Sequence, residues 1–144
     1  MAKFNYKFDS IKKVKQIVEK KVQKEVAVVE LEIEKRKSEI NELIEEKNNT
    51  ISDLKGKKSL KISEIQIMNN FEKLIDEKII SIKKDIERLE KVRQQKLDEL
   101  AQKSKETKMF EKLEEKHLQQ FIVEQNRLEQ IEIDDIATKK TKGN

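Results

Sequence analysis

The sequence predicts an all-α protein, a long antiparallel two-helix coiled coil in which the helices form a hairpin. Two observations predict this fold class. Among 144 residues there is no proline, and there are only two glycines, Gly56 and Gly143, so almost nothing interrupts a helix. Apolar residues also recur at alternating steps of three and four, which is the seam along which coiled-coil helices pack.

The first predicted helix covers about residues 8–54. Arg36 and Lys47 occupy seam positions, where a charged side chain fixes the register at some cost in stability. The seam of this helix comprises Val22, Val26, Val29, Ile33, Arg36, Ile40, Leu43, Lys47, Thr50 and Leu54.

The second predicted helix covers about residues 63–138, and isoleucine dominates its seam. The members are Met68, Glu72, Ile75, Ile79, Ile82, Ile86, Leu89, Arg93, Lys96 and Leu100. The pattern thins over residues 102–108 and resumes as a sparser stripe of Phe110, Leu113, His117, Phe121, Leu128, Ile131 and Ile136. The single hairpin domain therefore spans residues 1–138, and residues 139–144 are predicted to be a flexible basic tail.

The segment between the two seams, about residues 55–62, is the predicted tip of the hairpin. Lysines take the seam positions there, and Gly56 can adopt a left-handed conformation at a helix end with little cost. Two alternatives stay open. The turn could lie at Asn69 and Asn70, or one uninterrupted helix could dimerise, because the seam continues in step through the tip.

The predicted arms are unequal in length. Pairing about the tip would place Ile40 near Ile75, and the first arm would run out opposite about residue 108. Residues 110–138 would then have no intramolecular partner. An amphipathic stripe left in water needs another surface to cover it, either a second copy of the chain or a different protein.

Composition excludes several classes of protein. Charged residues make up 43% of the chain, aromatic residues 4% and hydrophobic residues as a whole 35%. This hydrophobic fraction is too small for the compact core of a conventional enzyme. The 33 basic and 29 acidic residues are interspersed, so no nucleic-acid partner is expected. No apolar run approaches the roughly 20 residues that span a bilayer, and no secretory signal is recognisable, so we expect a cytoplasmic protein without direct membrane insertion.

No active site is predicted. His117 is the only histidine and there is no cysteine, which excludes two-histidine metal motifs and thiolate chemistry. Neither glycine belongs to a phosphate-binding turn. We therefore expect no catalytic residue, no cofactor and no metal. His117, at a seam position, is expected to be a partly packed or solvated polar residue.

Three segments near the ends of the chain form a recognisable pattern. Residues 3–14 read KFNYKFDSIKKV, residues 110–116 read FEKLEEK, and residues 129–137 read EQIEIDDIA. The first resembles the opening of the flagellar FliJ family, with its alternating aromatic residues before a helix. The other two resemble that family's "lEkLkEk" and closing "EqkelDEia" segments. The resemblance extends over nearly the whole chain.

This resemblance implies a coiled-coil hairpin similar to the central stalk of rotary ATPases. It implies a non-enzymatic component of flagellar type III protein export that binds the hexameric export ATPase, contacts the membrane export-gate protein and assists export chaperones. Such a protein would be cytoplasmic and peripherally associated with the inner-membrane basal body. A monomer is expected. A homodimeric coiled-coil spacer, or the equivalent stalk of a virulence type III secretion system, stays open as an alternative.

The resemblance and the unpaired stripe together suggest two sets of contact residues. Contacts with the ATPase are expected at Phe8, Ile11, Phe110, Leu113, Phe121, Leu128 and Ile131. Contacts with the export gate are expected near the tip, at Leu43, Phe71 and Ile75. The chain departs from the family's pattern beside these gate residues, at Glu46, Thr50, Lys78 and Ile82.

Overall fold

The protein is a hairpin of two long helices. A computed structural model describes residues 2–142. Helix α1 spans Asp9–Lys55 and has 47 residues, and helix α2 spans Ile62–Lys142 and has 81 residues. The helices pack against each other, and no strand occurs in the described part of the chain. The predicted fold class is confirmed, and the uninterrupted helix and the turn at Asn69 and Asn70 are wrong.

Charges at the ends of α1 suit the helix dipole. Asp9 lies in the first turn and forms ion pairs with Lys12 at 3.4 Å and with Lys13 at 3.0 Å. Lys55 lies in the last turn. An acid near the positive end and a base near the negative end of a helix each stabilise it modestly.

Gly56 follows α1 directly, but it does not cap the helix in a left-handed conformation. No described residue has a positive φ. The amide of Gly56 instead donates a 3.0 Å hydrogen bond to the carbonyl oxygen of Ser52, which continues the helical pattern by one residue. The expectation of a left-handed glycine at this position is therefore wrong.

The chain divides into two compact units, each built from both helices. Unit 2 comprises Val22–Glu99. Its core is formed by Val22, Val26, Ile33 and Ile75, each at most 6% exposed. Every predicted seam position within this unit is buried or half-buried, including the charged ones. The predicted seam of unit 2 is therefore confirmed.

Charged seam residues join the two helices of unit 2. Lys47 of α1 contacts Asp76 of α2 at 2.8 Å, and Lys96 of α2 contacts Glu25 of α1 at 2.8 Å. In the predicted register Ile40 faces Ile75. In both observed contacts the residue of α1 meets a residue that lies further along α2 than that register would place opposite it. The predicted register is wrong because the seam repeats every seven residues, so spacing alone does not choose between neighbouring repeats.

Unit 1 comprises Met1–Lys21 together with Leu100–Asn144. Thr107, which is 3% exposed, fills the seam where the apolar pattern thins. Its Oγ1 donates a 3.0 Å hydrogen bond to the carbonyl oxygen of Lys103 one turn earlier, so the buried hydroxyl is satisfied within α2. The side chains of Lys15 and Glu106 meet beside it at 3.2 Å.

A non-helical segment, residues 2–8, precedes α1, and we call it the strap. Its aromatic rings contact α2, with Phe8 against Phe110 and Phe4 against Phe121. The prediction that residues 110–138 lack an intramolecular partner is therefore wrong for Phe110 and Phe121. Non-helical chain covers up to about 3.5 Å per residue and a helix 1.5 Å, so a few strap residues reach far along α2.

The far part of α2 is uncovered. Every described residue from Asn126 to Thr141 is exposed. The helix continues to Lys142, beyond the predicted end at residue 138, whereas Gly143 and Asn144 of the expected tail lie outside the described residues. Nowhere between residues 2 and 142 is a helical stretch both long and apolar enough to cross a membrane.

Candidate functional site

Tyr6 anchors the strap on α2. The side chain is 9% exposed, and its hydroxyl donates a 2.8 Å hydrogen bond to the carbonyl oxygen of Phe110. Burial raises the pKa of the Tyr6 hydroxyl, and the nearby carboxylate of Glu114 raises it further. The strap is therefore held by a buried polar contact as well as by apolar packing.

Aromatic rings surround this anchor. The Phe8 ring lies 6.3 Å from Phe110 and 6.1 Å from His117, and the Tyr6 ring lies 5.7 Å from His117, measured between centroids. Ring pairs at such distances contribute about 0.5–1.5 kcal/mol beyond their buried area. His117 is half-buried within this cluster, so of the two states expected for it the structure has the partly packed one.

Charged side chains hold the start of α1 on α2. The ammonium of Lys12 hydrogen-bonds to Glu114, and this contact raises the pKa of Lys12. In a second pair, Lys15 donates a hydrogen bond to Glu106, and this bond lowers the pKa of the Glu106 carboxyl group. Both shifts favour the charged forms, so these contacts persist at neutral pH.

An open apolar groove of about 620 Å³ lies beside these contacts. It brings together four of the seven residues predicted to contact the ATPase, and adds Met109, which is 58% exposed. Sequence reasoning missed Met109 because it lies one position before the seam, facing away from it. The groove is lined by Phe8, Ile11, Met109, Phe110, Lys112, Leu113 and Lys116.

The other three predicted ATPase contacts lie outside the groove. Phe121 is half-buried, with its ring 5.5 Å from that of Phe4. Leu128 and Ile131 are 46% and 45% exposed, on the part of α2 beyond the strap. Unit 1 therefore offers two apolar surfaces, the groove and the uncovered end of α2.

The predicted gate residues lie in unit 2 and differ in accessibility. Leu43 and Phe71 are half-buried, so part of each side chain can reach a partner. Ile75 is 2% exposed and belongs to the core. A partner could contact Ile75 only if the helices of unit 2 separated.

The described residues contain no group of three or more histidine, aspartate and glutamate side chains placed to hold a metal ion. Four acids of unit 1, Asp9, Glu106, Glu114 and Glu124, instead form ion pairs with neighbouring bases. Glu124, for example, forms a 2.6 Å ion pair with Arg127, and this hydrogen bond lowers the pKa of Glu124.

The family model of the flagellar FliJ protein matches residues 4–143, which include most of the strap, both helices and the uncovered end of α2. No curated protein and no solved structure matches the chain significantly. The family match confirms the resemblance of the terminal segments. It describes a structural, non-catalytic family of flagellar export and type III secretion. The chain therefore belongs to the FliJ family, as an export-related component of the bacterial flagellum.

Proposed function

We propose that this protein is the stalk of the flagellar type III export apparatus and that unit 1 binds the hexameric export ATPase. The single observation that carries the proposal is the apolar stripe on the uncovered end of α2. Leu128, Ile131 and Ile136 are each 45–52% exposed, without strap residues over them. Apolar side chains gathered on one exposed surface usually mark an interaction site.

The charges around this stripe indicate the character of the bound surface. Between Leu128 and Ile136 all the charged residues are acidic, namely Glu129, Glu132, Asp134 and Asp135, whereas bases lie only at the flanks, Arg127 before them and Lys139 and Lys140 after them. An acidic and apolar helix surface fits a partner with basic residues around apolar pockets. We expect such a surface where the ATPase subunits meet the stalk.

The mechanical role follows from asymmetry. Two antiparallel helices present different side chains on each side around their common axis, whereas the subunits of a ring are chemically alike. Each subunit would therefore meet a different surface, and the difference in binding free energy between open and closed subunits would bias their conformations. In this role the protein contributes binding energy, while the ATPase carries out the chemistry.

The contacts with the export gate and with export chaperones are proposed as well. Leu43 and Phe71 retain enough exposure to contact the export gate, whereas burial of Ile75 argues against its direct participation. Export chaperones are further proposed partners, and a cytoplasmic position at the inner-membrane basal body would fit all of these contacts. The family match favours the flagellar apparatus over a virulence secretion system.

The test is a double substitution, Leu128→Asp with Ile131→Asp, assayed for stimulation of the purified export ATPase. We expect stimulation to be lost while helicity and thermal unfolding stay unchanged, since both side chains are exposed. The matched control is Val28→Asp with Leu31→Asp, which changes two exposed apolar residues of unit 2 by the same charge. Undiminished stimulation by the first variant would contradict the proposal.

A homodimeric spacer is the second candidate, because another copy of the chain could cover the same apolar stripe. Light scattering separates the two functions. A monomer has a mass of 17.1 kDa, and a dimer has twice that mass. A stable dimer that dissociates on Leu128→Asp would favour the spacer.

A further inference from the structure

The loop between the helices concentrates positive charge. We call residues 55–62 the basic tip. Four lysines fall within it, and no acidic residue interrupts them. All four are exposed. They are Lys55, Lys57, Lys58 and Lys61.

Nearby acids neutralise little of this charge. Lys57 lies 3.8 Å from Glu64, which is the outer limit of an ion pair. Lys55, Lys58 and Lys61 form no ion pair with any residue from 2 to 142. Outside the tip the 29 remaining bases and the 29 acids are interspersed, except for the three lysines of residues 139–142, so the basic tip is a local concentration of charge.

An exposed isoleucine lies at the same place. Ile62, the first residue of α2, is 77% exposed, and Ile65 one turn later is 39% exposed. Residues three apart share one face of a helix. The basic tip therefore combines positive charge with an apolar side chain that nothing in the structure covers.

We infer that the basic tip binds the surface of a membrane that contains anionic phospholipids. The lysine ammonium groups would lie at the lipid phosphates, and Ile62 would enter the boundary between headgroups and acyl chains. Clusters of four or more lysines bind anionic bilayers in this way, and an adjacent apolar side chain adds to the binding. This contact is peripheral, and it does not rest on the proposed ATPase binding.

Nucleic acid also carries phosphates, but the tip lacks the groups that bind bases. Residues 55–67 contain no aromatic side chain on which a base could stack and no arginine. The exposed Ile62 would gain nothing from a sugar-phosphate backbone, whereas a bilayer interface buries it. The combination favours a lipid surface.

The first experiment measures binding of the full chain to vesicles by sedimentation. We expect binding to equal parts phosphatidylglycerol and phosphatidylethanolamine at low salt, and none to phosphatidylcholine alone. Changing Lys55, Lys57, Lys58 and Lys61 to glutamine should weaken binding at least about tenfold, because each lysine near an anionic surface contributes substantially. Far-ultraviolet circular dichroism checks that the helices remain.

The matched control changes four exposed lysines on the helices to glutamine, so that the net charge falls equally. These are Lys20, Lys21, Lys83 and Lys84. We expect this variant to bind the anionic vesicles as the natural chain does. Equal loss in both variants would mean that overall charge drives binding, and that result would overturn a site at the tip. Binding to polyuridylic acid through the tip lysines, without vesicle binding, would overturn it as well.

The second experiment locates the apolar contact. The chain has no tryptophan, so Ile62→Trp introduces a single fluorophore at the tip. We expect its emission to shift to the blue on anionic vesicles and to be quenched by brominated lipid. Val28→Trp, at a position that is 66% exposed on α1, should show neither change. If the emission of Ile62→Trp does not change when anionic vesicles are added, the inference is wrong.

Discussion

The hydroxyl of Tyr6 donates its hydrogen bond to the backbone carbonyl of Phe110 across 104 positions of sequence. This carbonyl lies within α2, and a carbonyl oxygen has two lone pairs, so it can accept this bond in addition to a helical one. The contact fixes the strap at one point on α2. The aromatic pairs on either side then determine which residues of α2 the strap covers.

Removing this hydroxyl should loosen the strap. We expect Tyr6→Phe to lower the free energy of unfolding by about 0.5–1.5 kcal/mol, which is the usual net value of one hydrogen bond. Tyr6→Ala should cost about 3 kcal/mol or more, because the ring is lost as well. Urea denaturation followed by circular dichroism measures both. Equal stability of Tyr6→Phe and the natural chain would show that the bond contributes nothing.

The titration of Tyr6 offers a direct check of its environment. It is the only tyrosine, so the ultraviolet absorbance of phenolate reports on it alone. We expect a pKa above the ordinary value of 10.0 in the folded protein, because burial disfavours the phenolate. In urea the pKa should return to the ordinary value.

The sign of the linked stability follows from this shift. Above pH 10.0 the unfolded chain loses the phenolic proton before the folded chain does, so stability falls as the pH rises through the folded-state pKa. The contribution of Tyr6 is fully present below pH 10.0. Tyr6→Phe should remove this part of the alkaline loss.

The seam was predictable because helix periodicity alone relates spacing to burial. Ile33 and Ile75 follow the alternating steps, and both are nearly inaccessible in the structure. Spacing could not tell which seam side chain remains open to a partner. Ile75 and Ile79 have the same spacing signal, yet only Ile79 keeps part of its surface.

The strap was not predictable in the same way. Residues 2–8 are not helical, so they have no place in the seam pattern. Their position depends on contacts between residues far apart in sequence, such as Phe4 with Phe121. A prediction from helical arms alone therefore left Phe110 and Phe121 uncovered. The order of aromatic residues in the strap was the available signal, since Phe4, Tyr6 and Phe8 alternate as a segment packed on one side does.

Thr107 should be replaceable by valine with a gain in stability. The position is buried in the seam, and the hydroxyl bonds only to the backbone of its own helix, which weakly destabilises helices. We expect Thr107→Val to raise the free energy of unfolding by about 0.5–1 kcal/mol through apolar burial. Thr138→Val is the control, because Thr138 makes the same bond to Asp134 but is exposed. A gain at Thr138 equal to that at Thr107 would rule out burial as the cause.

Gly56 should also be replaceable. Its φ is not positive, and an added Cβ would lie 3.5 Å from the carbonyl oxygens of Ser52 and Asp53, which is ordinary contact. Alanine restricts the unfolded chain, so Gly56→Ala should stabilise the protein by about 0.4–1 kcal/mol. Thermal unfolding measures the gain. A loss of stability would indicate that the end of α1 needs a conformation which only glycine adopts.

Arg93 shows what a charged seam position costs. Its Nε is buried without a hydrogen-bond partner, in a crevice of about 200 Å³ that Ile33 also lines. Replacing it with leucine removes an unsatisfied polar group from the seam. We expect Arg93→Leu to raise the free energy of unfolding by about 1 kcal/mol or more, since an unsatisfied buried polar atom costs about that much.

The exposed Arg88 supplies the control for this substitution, and Arg88→Leu should change stability by less than about 0.5 kcal/mol. A polar residue in a seam also restricts register and partner choice. We therefore expect Arg93→Leu to self-associate more readily than the natural chain, as light scattering over a range of concentrations would show. A variant that is more stable and still monomeric would mean that Arg93 has no part in keeping the hairpin from pairing with another copy.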